Sequence, residues 1–176
     1  MTDKGIPLGL SLGSMLLDHV IMCFIVLPPL IVLSLFFKSD KPFEIHPVET
    51  AAFYLMMLVY LNKDFVNARS IAKRILGLII VDRATGEPAS ELKCLLRNLT
   101  IPIWPLEVLI SLFSKNRRLG DIIANTRIEI ADKESPKSIL GEFKSKRLTS
   151  NTLWTLVIAS AFMAGLWYLM DWIMGI

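Results

Sequence analysis

Apolar residues run through this chain in long blocks separated by polar stretches. Four blocks stand out: Ser11–Phe37, Ile45–Leu61, Leu99–Phe113 and Thr152–Ile176. A helix needs about 20 apolar residues, with a range of about 17–25, to cross a bilayer. The first and last blocks exceed that length and the second just reaches it. The third is too short, carries Pro102 and Pro105, and has Glu107 in its middle. The pattern predicts three transmembrane helices, at about 11–37, 45–61 and 152–176. It also predicts one short re-entrant or interfacial apolar helix within 90–113.

The polar stretches have patterns of their own. Asn67–Leu76 reads as a basic amphipathic turn of helix, and Pro28-Pro29 should kink the first long helix. Gly77–Asp82 (GLIIVD) is a short β-branched run, followed by the turn cluster Arg83–Pro88 (RATGEP). Leu92, Leu95, Leu96, Leu99 and Ile103 recur at helical spacing, with Glu91, Lys93, Arg97 and Asn98 elsewhere on the wheel, as in a helix lying in the interface. Asn125–Ile130 alternates and reads as a second strand. Short lone strands expose unpaired backbone, so the two runs are expected to pair. The fold expected is an all-α membrane protein with a small two-stranded cytoplasmic ribbon. Its parts are a membrane domain over 1–131 (cytoplasmic-side module 62–131), a basic linker at 132–151 and an additional helix at 152–176.

Composition supports this class. The chain is 53% hydrophobic and 20% charged, with a mean hydropathy of +0.54. The four apolar blocks carry only Asp18, Glu49, Glu107 and Asp171 as formal charges. A soluble single domain, a disordered chain and a disulfide scaffold are excluded. Met1–Leu10 lacks the basic region and cleavage pattern of a secretory signal, so the first block is expected to be retained as a helix. Lysine and arginine crowd 62–98 and 114–151, whereas the connection 38–44 balances its two lysines with Asp40 and Glu44. By the positive-inside rule both basic segments stay in the cytoplasm, which requires that Leu99–Phe113 does not cross. The N-terminus is then cytoplasmic and the C-terminus outside.

Few residues carry candidate chemistry. Asp18 lies inside the first helix, where a carboxylate costs about 2.5–3.5 kcal/mol and needs a partner. Its neighbour His19 points about 100° away on the helix. Arg97, then Arg74, are the expected partners, either as a charge clamp or around an ion or proton site. Asp121 either caps a short helix or pairs with Arg117 or Arg118. Glu107, if buried, suits proton coupling. Trp167, Tyr168 and Trp172 beside Asp171 read as an interfacial aromatic belt. Cys23 and Cys94 read as small buried residues, and His19 and His46 lie too far apart for a shared metal site. No phosphate loop, GxSxG or HExxH occurs. No catalytic residue, metal or cofactor is expected, and nucleic acid is not an expected partner.

One ordered set of motifs is more specific. Ser70–Asp82 (SIAKRILGLIIVD) is followed by Gly86-Glu87-Pro88, Leu96-Arg97-Asn98, Arg117–Asp121 (RRLGD) and Asn125-Thr126. This set resembles the RDD family of bacterial membrane proteins from about Ser11 to Ile130. The family is named for one arginine and two aspartates, and the aspartates match Asp18 and Asp121. Its arginine would fall near Ser11, where this chain has none, and Ala72 stands where the family usually has glycine. The resemblance implies a bacterial inner membrane protein with two core spans, no enzyme activity and a role in transport of unidentified ligands.

Two functions fit. One is a small transporter or transporter subunit for a cation or other small ligand, with Asp18 and Glu107 in its path and proton coupling as an option. Three spans barely enclose a path, so it would work as a homo-oligomer or in a larger membrane complex. The other is a non-catalytic membrane adaptor or assembly subunit whose basic module docks a protein partner or anionic lipid. A water-filled cavity reaching Asp18 favours the first, and a dry salt bridge favours the second.

Overall fold

The computed structural model describes residues 6–37, 46–114, 117–146 and 149–174. The predicted connection 38–44 lies outside the described residues. Helix α1 (Leu8–Phe36) stays helical through Pro28 and Pro29. Helix α2 (Pro47–Leu61) starts with proline in its first turn and a reciprocal cap: His46 accepts the Val48 N–H at 3.2 Å, and Glu49 accepts the His46 N–H at 3.1 Å. His46 is thus a helix cap.

Helix α3 (Ile71–Leu76) is capped by Ser70, whose hydroxyl accepts the Lys73 N–H, and it stops at Gly77. Gly77 sits at φ +69°, and a side chain there would meet the Ala131 carbonyl oxygen at 2.7 Å. The chain turns directly into β1 (Leu78–Asp82), which pairs antiparallel with β2 (Thr126–Ile130) in the register Leu78–Ile130 to Asp82–Thr126. The ribbon expected from the β-branched run and the alternating run is therefore present. Between its strands lie α4 (Glu91–Asn98), a 3-10 turn at Ile101–Ile103, α5 (Trp104–Phe113) and α6 (Leu119–Ile123). Beyond β2 follow α7 (Ser138–Ser145) and α8 (Ser150–Met174).

Three described stretches are long and apolar enough to cross a membrane: Leu8–Phe36, Glu91–Phe113 and Ser150–Ile173, while Pro47–Leu61 is shorter. The expected set had the second block as a span and the third as none. The difference arises because α4, the 3-10 turn and α5 follow one another almost without a gap. They do not form one rod, since the α-helical bonding breaks at 99–103 around Pro102.

Two other expectations are corrected. Helix α4 does not lie flat with its polar side in water. It buries Cys94, Leu95, Arg97 and Asn98, because α6 packs on one side and α8 on the other. Leu95 packs against Leu61 and Ala159 in a small core. The stretch 132–151, expected as a basic linker, contains a helix, α7.

Apolar and polar positions are inverted relative to a soluble protein. Helix α1 buries Ser11, Ser14 and Asp18 on one face while Phe24, Leu35 and Phe36 are exposed. Helix α5 buries Glu107 and Ser111 and exposes Leu109 and Phe113, the last at 87%. Polar groups line the inside of this structure and apolar side chains its outside, as a bilayer demands.

Candidate functional site

The polar faces of α1, α3, α4, α5 and α6 meet in one buried network. Its first member is Asp18, at 2% exposure. The six residues of α3 aim Lys73 at it, and the Lys73 ammonium donates to Asp18 Oδ2 at 2.6 Å. Lys63 stands 3.8 Å from the same oxygen. The Lys73 ammonium also lies 2.8 Å from Asp64 Oδ1 and 3.2 Å from the Ser70 hydroxyl. One lysine thus bridges two carboxylates from different parts of the chain.

Asp64 continues the network. Its Oδ2 accepts a hydrogen bond from Asn98 Nδ2 at 3.1 Å and lies 3.5 Å from Arg97 Nη1. Asn98 also donates to the Leu61 carbonyl at 2.9 Å, tying the end of α2 to α4. Arg97 in turn donates through Nε to Asp121 Oδ1. Asp121 further accepts from Thr126 Oγ1 at 3.0 Å and from the Arg118 backbone N–H at 3.4 Å. The Arg118 guanidinium lies 3.6 Å from it.

Glu107 closes the far side, accepting from the Thr100 hydroxyl at 2.5 Å and the Gly120 N–H at 3.3 Å. That approach needs glycine at 120, since a Cβ there would come within 2.0 Å of the Arg97 carbonyl oxygen. The network gathers four acidic residues (Asp18, Asp64, Glu107, Asp121) and four basic ones (Lys63, Lys73, Arg97, Arg118), so its formal charges balance.

The electrostatics follow from this packing. Burial alone would push the Asp64 carboxyl up, but Lys73, Arg97 and Lys63 outweigh it and hold Asp64 well below the usual carboxylate range. Burial alone would lower Lys73, but Asp18 and Asp64 outweigh it and hold the ammonium above its ordinary value. Lys63 is lowered by burial, which Asp18 opposes only in part. The network therefore keeps Asp64 and Lys73 ionised and costs Lys63 some of its hold on a proton.

The structure sorts the residues singled out from the sequence. Asp18 has a buried cationic partner, but neither expected one. Arg97 is taken by Asp121 and Asp64, and Arg74 lies in a separate cluster. That second cluster joins Arg74 to Glu134 and Glu142, the latter at 2.7 Å, and to the Ser138 hydroxyl at 2.9 Å. Asp121 pairs with Arg97 and Arg118 and accepts an N–H at the start of α6 from inside that helix's first turn. Glu107 is buried but lies on the α5–α6 side and is not bonded to Asp18.

Sequence reasoning missed Lys63, Asp64, Lys73 and Asn98 as site members. Lys73 and Asn98 stood inside quoted motifs, and Asp64 is an acid immediately after an apolar block. Their convergence depends on the path of the chain. Among the described residues no group of three or more histidine, cysteine, aspartate or glutamate side chains is placed to hold a metal. The two cysteines are free thiols, Cys94 buried and Cys23 partly so.

Neither the characterised proteins nor the solved structures compared with this chain gave a significant match. The sequence profile of the RDD family matches residues 12–125. Every charged member of the buried network falls inside that span, while α7, α8 and the acids facing Arg74 fall outside it. With well over half of its length matched, the chain belongs to the RDD family of membrane proteins.

Proposed function

We propose that this RDD protein is a non-catalytic assembly subunit of the bacterial inner membrane, with a small cytoplasmic module locked onto its membrane helices. The observation that carries this reading is the Asp18–Lys73 pair, buried on both sides and closed at 2.6 Å. A transport path through Asp18 and Glu107 needs those carboxylates free to meet a ligand. Here Asp18 is occupied by Lys73 and Lys63, and Glu107 by Thr100 and Gly120. Many basic residues of the module, Arg69, Lys93 and Arg127 among them, are likewise engaged in internal ion pairs, as is Lys146 of the segment that follows it. That favours a protein partner in a larger complex over anionic lipid as the principal contact.

The topology of this reading also has support. Strands β1 and β2 flank the 91–113 stretch in sequence and are hydrogen-bonded to each other, which supports a path whose two ends lie on one side of the membrane. Helix α6 returns against α4 through Gly120. A re-entrant 91–113 and three spans, α1, α2 and α8, satisfy both facts and keep the module and N-terminus cytoplasmic.

Two measurements test the proposal. Cysteines placed at the exposed positions Arg83 and Lys133 should both react from the cytoplasmic side, and labelling from opposite sides would overturn the topology. In proteoliposomes, flux over a panel of alkali cations and protons should match protein-free vesicles. Flux that Asp18→Asn abolishes without loss of stability would establish the transporter instead.

A further inference from the structure

The end of the bundle away from the charge network carries a groove of about 470 Å³ between α1, α2 and α8. Leu30, Ile31 and Ser34 of α1 line it, roughly 18–24 Å along the helix from Asp18 at 1.5 Å per residue. The size lies in the range of small-molecule sites, about 300–1,000 Å³. Its walls are apolar, from Leu30 and Ile31, and aromatic, from Phe53 and Trp167, both of them substantially exposed. One charged side chain lines it, Glu49.

Glu49 stands in the first turn of α2, where the helix N-terminus favours the anion. The ion pairs among the described residues leave it without a lysine or arginine partner. Its Oε2 is held by the His46 N–H, which fixes the carboxylate in place. A carboxylate with no lysine or arginine partner among the described residues, in a groove that two aromatic side chains also line, is complementary to positive charge on an apolar body, because aromatic rings attract cations as carboxylates do. Calcium and magnesium want shells of six or more oxygens, which this lining does not offer. A neutral acyl chain would fill the walls but desolvate the carboxylate with nothing in return.

We propose that this groove binds a hydrophobic organic cation, a quaternary ammonium or phosphonium with apolar arms, its charge beside Glu49 and its arms against Leu30, Ile31, Phe53 and Trp167. The inference does not rest on the assembly reading above, since a subunit can bind such a ligand without moving it.

The test uses the full chain in nanodiscs of zwitterionic lipid, with tetraphenylphosphonium as probe and the isosteric anion tetraphenylborate as control. Equilibrium dialysis should give one saturable tetraphenylphosphonium site per chain and none for tetraphenylborate. Glu49→Gln should raise Kd at least 10-fold. The substitution keeps α2 capped, because glutamine serves that capping position as glutamate does. Trp167→Leu should weaken binding several-fold. Equal uptake of the two probes, or a Glu49→Gln variant that binds as the parent does, would overturn the proposal and leave the groove as a seat for lipid chains. A variant with an unchanged melting profile in detergent confirms that any lost binding comes from the site.

Discussion

Arg97 and Arg74 both sit fully buried on short helices of the same module, and they face acids of different kinds. Arg97 meets Asp121 and Asp64, whose side chains are 2% and 0% exposed. Arg74 meets Glu134 and Glu142, whose side chains are 32% and 29% exposed. Breaking the first pairing strands charge where water cannot reach it. Breaking the second releases two glutamates into solvent, where they are readily hydrated. The inner network is therefore a permanent joint between module and membrane helices. The outer cluster is a latch that holds α7 and can open at modest cost. The division follows the family boundary, since the inner acids lie within residues 12–125 and the latch acids beyond.

The largest effect should come from Lys73→Met, which strands Asp18 and Asp64 together. Removing one member of a buried pair costs about 3–5 kcal/mol, so the variant should melt far earlier in detergent or fail to accumulate. Adding Asp18→Asn should recover part of that loss, giving a double variant milder than additivity predicts. Strict additivity would mean that the pair does not hold the module. Acid attacks the same joint. Asp64 is held below its ordinary value, so its contribution is complete above about pH 4, the unfolded carboxylate range, and is lost as pH falls through the folded value. Thermal melts from pH 6 down to pH 3 should show this decline, and Asp64→Asn should flatten it.

Gly120→Ala comes next. The added methyl collides with the Arg97 carbonyl, a backbone atom that cannot swing aside, so α6 must shift off α4. Overpacking of this kind costs about 1–3 kcal/mol. If the melting temperature does not change, the close approach of α6 to α4 is not part of the joint.

Opening the latch should cost less. Glu142→Gln removes one of the two acids from Arg74, at about 1 kcal/mol or less for a partly exposed pair. The variant should keep its melting temperature within a few degrees yet be cleaved faster by trypsin between Lys133 and Lys146. Equal cleavage rates would show that the latch does not restrain α7. The smallest effect is that of salt. Raising ionic strength to about 1 M shortens the screening length to about 3 Å and should speed cleavage of that segment while leaving the inner network untouched.

Parts of this architecture can be read from the chain without coordinates, and the reason is locality. The β-branched run Gly77–Asp82 and the alternation of Asn125–Ile130 give each strand, and their shared lack of another partner gives the pairing. The cost of an acid within an apolar helix marks Asp18 as paired. The identity of its partner is not local. Arg97 and Lys73 are both basic residues of one module, and choosing between them needs the direction that Ser70 and Gly77 impose on α3. The burial of Arg97 and Asn98 was hidden for a similar reason. An amphipathic wheel distinguishes two faces, and α4 has partners on both. Helix α7 was missed because its sequence is polar and its order depends on Arg74, more than 60 residues earlier.

The 55-residue separation of Asp18 from Lys73 has a consequence for biogenesis. A ribosome adding about 5–20 residues per second delivers α1 to the insertion machinery roughly 3–11 s before the lysine that neutralises its carboxylate. Through that interval the nascent helix carries an acid without its counter-ion. It must wait at the translocon or borrow a partner until the later lysines emerge. Chains stalled before Lys63, which hold neither of the lysines that face Asp18, should therefore be the ones that quality-control proteases remove first.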